Sequence, residues 1–144
     1  ATLNKRIFGG QPKRAQKLVK PDSKLVPAVK AKQIREQILD YMNSEQPYLR
    51  STITLRTLSS MLNLSPNVLP WVINEGFEKN FNEFVNQYRL EYFKKLLIDP
   101  ENQHISILGL AYESGFNSKT VFNTFFKKVE GMTPKAFQKS LMNK

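Results

Sequence analysis

From residue 31 onward, apolar positions recur every three to four residues, and no stretch keeps a period of two for long. Ile34, Ile38, Tyr41 and Met42 make a first amphipathic stripe, closed by Pro47. Thr54 stands as an N-cap before Leu55, Leu58 and Leu62. Ser65-Pro66 reads as a cap followed by proline at the first helical position, with Leu69, Val72 and Ile73 on one face after it. Asn80 and Glu83 have the spacing of a capping box, with asparagine in place of serine or threonine. They open the longest pattern in the chain: Phe81, Phe84, Val85, Tyr88, Tyr92, Phe93, Leu96 and Leu97, stopped by Asp99-Pro100. Ser106 caps a run with Ile107, Leu110 and Ala111. Phe122, Phe125, Phe126 and Val129 come after Gly115-Phe116 and end at Gly131; Thr133-Pro134 starts a last helix with Phe137 and Leu141. The pattern predicts an all-α chain of about seven helices.

The chain also contains itself twice. At a shift of 52, Ile53-Thr54-Leu55 lies over Ile105-Ser106-Ile107, Leu58-Ser59 over Leu110-Ala111, and Asn63-Leu64 over Gly115-Phe116. One extra residue then makes the shift 53, and Leu69, Val72 and Ile73 meet Phe122, Phe125 and Phe126. In each copy an apolar residue is followed by a small one, which lets a second helix cross closely. Four residues later comes Asn63 or Gly115, the residue types that best tolerate positive φ. A polar cap and a second amphipathic helix complete the unit. Two such units in register predict two helix-turn-helix subdomains, whose second helix is the one that enters a major groove. The helix between them, about 80–98, spans roughly 27 Å. With the widths of the flanking units added, the two recognition helices are expected about one duplex turn apart, roughly 34 Å, and so in successive major grooves.

Charge sharpens this picture without completing it. Among the 144 residues, 22 Lys and Arg face 12 Asp and Glu, for a net charge of +10, which points to a polyanionic partner. Residues 1–30 hold eight cations and one anion, and residues 31–144 hold 14 against 11. The first segment, with Gly9, Gly10, Pro12, Pro21 and Pro27, reads as a flexible basic arm or linker. Three readings of it stay open: a merely basic terminus, a DNA-contacting arm, or a stretch just cytoplasmic of a membrane helix.

Reactive chemistry is scarce. With no Cys, disulfides and Cys-ligated metals are excluded, and His104 is a lone imidazole beside a cap. Glu75, Glu78 and Glu83 lack any His or Cys companion and read as solvated surface, scattered by a helical stop expected at Gly76. No strand-to-helix elbow supports nucleophilic catalysis. The chain is therefore expected to be no enzyme and to need no cofactor or metal. No apolar run approaches the roughly 18 residues of a membrane span, so the folded part is expected to make no membrane contact.

The block Ala111-Tyr112-Glu113-Ser114-Gly115-Phe116-Asn117-Ser118, followed by Phe122, Phe125-Phe126-Lys127-Lys128 and Gly131-Met132-Thr133-Pro134, resembles the DNA-binding domain of the arabinose-operon regulator (AraC/XylS) family. So does Leu96-Leu97 before Asp99-Pro100; the likeness covers about residues 48–138. The resemblance implies a sequence-specific transcription regulator, usually an activator. Its first unit would read the more variable bases, and its second would often face phosphates and polymerase. Residues 31–79 would form the first subdomain, 80–98 the linker helix and 99–144 the second subdomain.

Carried over, the base-facing residues are Asn67, Pro70 and Trp71 in the first unit, and Lys119, Thr120, Val121, Asn123 and Thr124 in the second. Pro70 lacks an N–H and is expected to disturb the first turns of its helix. Neither Pro70 nor Trp71 can make a bidentate base contact, and Trp71 has three open roles: on a thymine methyl, on a sugar, or in the core. Thr124 stands where the family often has arginine. Direct readout then rests on Asn67 and Asn123, which suit adenine, with hydroxyl and van der Waals contacts beside them. Phosphate candidates are Arg50, Lys119, Lys127 and Lys128, with the helix starts at Thr54, Ser106, Ser118 and Thr133.

The expected partners are double-stranded DNA, RNA polymerase and, in a longer chain, a sensor domain. The expected location is the cytoplasm, with a tether to the inner membrane through the longer chain as one arrangement. The competing reading is a helical interaction module whose arm binds an anionic membrane surface or a partner protein.

Overall fold

The structure, a computed structural model, describes residues 28–142. The helices are α1 (Ala28–Glu45), α2 (Leu55–Met61), α3 (Val68–Phe77), α4 (Phe81–Ile98), α5 (Ile107–Glu113), α6 (Lys119–Glu130) and α7 (Pro134–Met142). Short 3-10 turns occupy Pro47–Leu49 and Pro100–Asn102. Among the described residues there are seven α-helices and no strand. α1 begins three residues inside the segment read as the arm, directly after Pro27; the rest of that arm lies outside the described residues.

The helix boundaries are set by their caps. Asn80 Oδ1 accepts the Glu83 N–H at 2.8 Å while Glu83 Oε1 accepts the Asn80 N–H at 3.1 Å, a reciprocal capping box. Asp99 closes α4 and accepts the Glu101 N–H at 3.0 Å. Thr133 Oγ1 accepts the Ala136 N–H at 3.1 Å, with Pro134 at the first helical position of α7.

Two compact units divide the chain. The first comprises residues 28–47 with Thr52–Phe84. Here α3 packs on α1 and α2. Ile34, Ile38, Met42, Leu58, Leu62, Leu69, Val72 and Ile73 are buried, and Phe77 stacks on Phe84 with ring centroids 5.0 Å apart. The expected stop at Gly76 does not occur. Gly76 lies within α3, which runs to Phe77 and is capped by Glu78, a residue in the left-handed conformation with φ 57°. The glycine serves packing instead: a Cβ there would lie 2.3 Å from Arg35 Cδ on α1.

The second unit comprises Tyr48–Ser51 with Val85 onward. Its core gathers Leu90, Phe93, Leu110, Ala111, Phe116, Phe122, Phe125 and Phe126. Phe93 meets Phe122 edge-on at 4.9 Å and Phe126 at 5.8 Å, and Phe116 meets Phe122 at 5.2 Å. Such pairs add about 0.5–1.5 kcal/mol each beyond area burial.

Arg89 on α4 fastens the Tyr48–Ser51 segment. Its Nε donates to the Tyr48 carbonyl at 2.7 Å, Nη2 to the Arg50 carbonyl at 2.9 Å, and Nη1 to Asn86 Oδ1 at 3.0 Å. Gly115 presses on the same segment. It has φ 105°, and a Cβ on it would lie 2.2 Å from the Tyr48 carbonyl oxygen.

Gly115→Ala therefore combines backbone strain with a backbone clash, and is expected to cost about 3 kcal/mol or more. Gly131→Ala is expected to cost about 1 kcal/mol, because its φ is 76° but open space surrounds the added methyl. Urea denaturation of the two variants checks the order, and equal losses would contradict the clash. Arg89→Met is expected to cost about 2 kcal/mol. Arg89→Lys should restore little of it, since an ammonium cannot reproduce the planar fork; full rescue by lysine in the same assay would contradict the fastening role.

Candidate nucleic-acid interface

The two helix-turn-helix units match bond for bond through their turns. Thr54 Oγ1 caps α2 through the Thr57 N–H at 3.1 Å, and Ser106 Oγ caps α5 through the Gly109 N–H at 2.9 Å. Leu58 and Ser59 are fully buried, as are Leu110 and Ala111 to within 2%. Asn63, with φ 57°, occupies the place of Gly115. Leu64 N–H then reaches the Ser59 carbonyl at 2.8 Å, and Phe116 N–H reaches the Ala111 carbonyl at 3.1 Å. Asn63 N–H bonds the Ser60 carbonyl at 3.1 Å, and Gly115 N–H bonds that of Tyr112 at 3.0 Å. Both first helices thus end in a Schellman motif, which turns the chain into α3 and α6 the same way.

The second helices of the two units differ. Ser118 Oγ caps α6 by accepting the Val121 N–H at 3.2 Å. In the first unit the Val68 N–H goes to the Ser65 backbone carbonyl at 3.0 Å, Asn67 takes the N-cap position without a side-chain cap bond, and α3 starts at Val68. The proline after Ser65 is thus in the preceding turn rather than at the first helical position. Pro70 leaves α3 undisturbed: it is the third residue of the helix, where backbone N–H groups have no intrahelical partner in any case.

α6 presents a sharply divided surface. Phe122, Phe125 and Phe126 are buried, while Lys119, Thr120, Val121, Asn123, Thr124, Lys127 and Lys128 are all exposed. The helical spacing thus brings every candidate of the second recognition helix to its solvent side. On α3 the division is weaker. Asn67 is exposed, Pro70 and Trp71 are half-buried, and Val68, the counterpart of Val121, is buried. Trp71 therefore both packs and shows a face. Of the phosphate candidates, Arg50, Thr54, Ser106 and Thr133 are exposed and Ser118 is half-buried. Arg50 projects from the segment that Arg89 fastens.

Three features escape sequence reasoning. Arg89 is hidden inside the aromatic stripe of α4; its one available signal is a cation among Tyr88, Leu90 and Tyr92. Burial pulls its pKa below the ordinary guanidinium value, and burial, with Tyr48 beside it, pushes the Tyr88 phenol upward. Lys94 bridges to Glu130 at 3.0 Å and Glu91 at 3.2 Å. Burial opposes its charge, but the bonds to Glu130 and Glu91 outweigh it and raise the pKa. That contribution to stability is present below the ordinary lysine pKa and is lost as pH rises through the raised value.

The third feature is the partition of charge. Residues 28–47 with Thr52–Phe84 hold five cations and six anions, whereas Tyr48–Ser51 with residues 85–144 hold ten and five. Where α6 has Lys127 and Lys128, α3 has Asn74 and Glu75. Among the described residues, no three His, Cys, Asp or Glu side chains form a group that could hold a metal, and no helix is long and apolar enough to cross a membrane.

The family description "Helix-turn-helix domain" matches residues 58–140. An uncharacterised HTH-type transcriptional regulator in the cgkA 5′ region of Pseudoalteromonas carrageenovora is 31% identical over 88 residues, 61% of this chain and 50% of that protein. The uncharacterised HTH-type transcriptional regulator YijO of Escherichia coli is 25% identical over 117 residues, 81% of this chain and 39% of its own length. The chain thus spans half or less of these relatives. The C-terminal domain of the two-component response regulator yesN from Fusobacterium nucleatum superposes with a TM-score of 0.61 at 31% identity, covering 74% of this chain and 98% of that one. A protein of unknown function from Listeria innocua shares the fold, with a TM-score of 0.63 at 24% identity. The duplicated turn, the solvent face of α6 and these likenesses agree, and the chain belongs to the AraC-type helix-turn-helix family of DNA-binding transcription regulators.

Proposed function

We propose that this chain reads duplex DNA with α3 and α6 in successive major grooves and activates transcription as the DNA-binding part of a longer regulator. In this reading residues 31–79 and 99–144 are the two reading subdomains and 80–98 the helix joining them. The single observation that carries it is the duplicated turn, which closes with the same backbone bonds at Asn63 and at Gly115. One such corner is common in helical proteins; two in one chain, each leading into a helix with polar residues to solvent, suit a two-groove reader.

Asn67, Pro70 and Trp71 face bases from α3, and Lys119, Thr120, Val121, Asn123 and Thr124 face them from α6. Arg50, Lys127 and Lys128, with the helix starts at Thr54, Ser106, Ser118 and Thr133, hold phosphates. The second unit supplies most of the phosphate grip, because it has the cation surplus. A sensor domain and RNA polymerase are the partners that a longer chain of this family would use; both readings rest on the family likeness. The work is cytoplasmic, where the bacterial chromosome lies, and a tether to the inner membrane is compatible with it. The eight cations against one anion in residues 1–30 favour one rival, in which the arm seeks an anionic surface and the helices only pack.

A protection footprint on fragments of the source genome tests the two-groove reading. Two protected patches one helical turn apart, on one face of the duplex, are expected. A single patch would contradict it, and so would equal affinity for random duplexes in competition. Removing residues 1–27 should leave those patches in place; their disappearance would favour the rival. The slope of log affinity against log salt should fall by about 0.9 for each of Lys127→Gln and Lys128→Gln, if each lysine neutralises one phosphate. Fluorescence anisotropy across a salt series reads it, and unchanged slopes in both variants would remove these lysines from the interface.

A further inference from the structure

The first turns of α6 carry an unusual surface for a helix. Thr120, Val121 and Thr124 are all exposed, Val121 by 47%. At 100° per residue they fill one sector of about 100° on the side away from Phe122, Phe125 and Phe126. Helix stability does not explain them. β-Branched residues are poorer helix formers than alanine by a few tenths of a kcal/mol each, and these three pack against no core.

The duplicate provides a comparison. Val68, at the corresponding place, is buried at 8%, so a valine here has a structural role in one copy that it lacks in the other. Lys127 and Lys128 continue the same face two turns on, from Thr120 and Val121 respectively. Beyond Lys119 at its start, which lies to one side of this sector, the sector presents methyl groups first and cations after. That order matches a recognition helix whose N-terminal residues meet base edges while its later residues reach phosphates.

Chemistry decides which group the methyls meet. In the major groove the C5-methyl of thymine is the one apolar group on a base edge. Arginine, the commonest reader of guanine, is absent from both α3 and α6. Stiff β-branched side chains hold their methyls at little entropic cost, which suits van der Waals contact more than hydrogen-bond readout. We infer that the Thr120–Val121–Thr124 sector recognises thymine methyl groups, so that thymines are among the bases that specify the half-site under the second unit. The inference rests on the DNA-reading function above and names what that function selects.

Deoxyuridine removes the methyl and leaves every hydrogen-bonding group of thymine in place. The probe is the tightest duplex recovered by the full chain from a random-sequence pool, with its thymines replaced one at a time by deoxyuridine. At least one replacement should weaken binding about fourfold, the value of burying one methyl-sized group. That penalty should vanish in Val121→Ala, or in Thr120→Ser or Thr124→Ser, which keep the hydroxyl and lose only the methyl. All three positions are exposed, so circular dichroism should show unchanged folding. If every deoxyuridine duplex binds like its parent, or if the penalty survives in all three variants, methyl recognition by this sector is wrong while DNA reading stands. If the pool yields no preferred duplex, the reading beneath it fails as well.

Discussion

The second helix of each helix-turn-helix unit is aimed by one residue with positive φ. Asn63 and Gly115 let the chain turn back so that the next N–H can reach the carbonyl five residues earlier. Every base-facing candidate of a unit lies downstream of that bond. It fixes the angle at which α3 or α6 leaves its partner helix, and so decides which residues face the core and which face solvent. In the second unit the constraint is doubled, since the glycine also admits the Tyr48 carbonyl at a distance no side chain would allow. Asn63 carries only the conformational requirement, and asparagine meets it well enough.

The features legible in the sequence are local or repeated. The caps at Thr54, Ser106, Ser118 and Thr133 and the box at Asn80 and Glu83 are short-range chemistry, and each forms as spacing predicts. The register of the two copies is visible because core positions Leu69, Val72 and Ile73 repeat as Phe122, Phe125 and Phe126. The features that escape it depend on contacts distant in sequence. Gly76 resembles a stop because glycine usually ends a helix, yet here it makes room for Arg35. Pro70 looks disruptive when its position is counted from Ser65, whereas the helix starts at Val68 and leaves the proline within the free first turn. Arg89 carries almost no signal, since its distant partners are backbone carbonyls about forty residues away. The candidate contact residues of α6 are legible as a face; which of them touch a base is not, because that depends on the DNA.

The two units share a frame and differ in their surfaces. The turns agree to within a few tenths of an ångström in their bonds, while Val68 and Val121 have exchanged the core for solvent. A frame held by backbone bonds and buried aromatics tolerates this, because the outward positions of a helix contribute little to its packing. In the first unit the outward positions of α3 include Pro70 and Trp71, half-sunk and apolar. Their counterparts in the second are the exposed Asn123 and Thr124, while Lys127 and Lys128 stand where the first unit has Asn74 and Glu75.

The charge partition then says how such a pair would share the work. Phosphate attraction is long-ranged, insensitive to sequence and screened by salt. A unit with twice as many cations as anions can find and hold a duplex without choosing among sequences. A unit with no surplus, and with Glu75 on α3, would gain little from phosphates and would have to draw its affinity from close fit at the bases. Its binding would then be weak alone and selective in company. The tether between them converts the second contact into an intramolecular one at high effective concentration. If the chain reads DNA as proposed, α6 would supply the hold and its own methyl-led selectivity, and α3 would add discrimination that matters only once the hold is made.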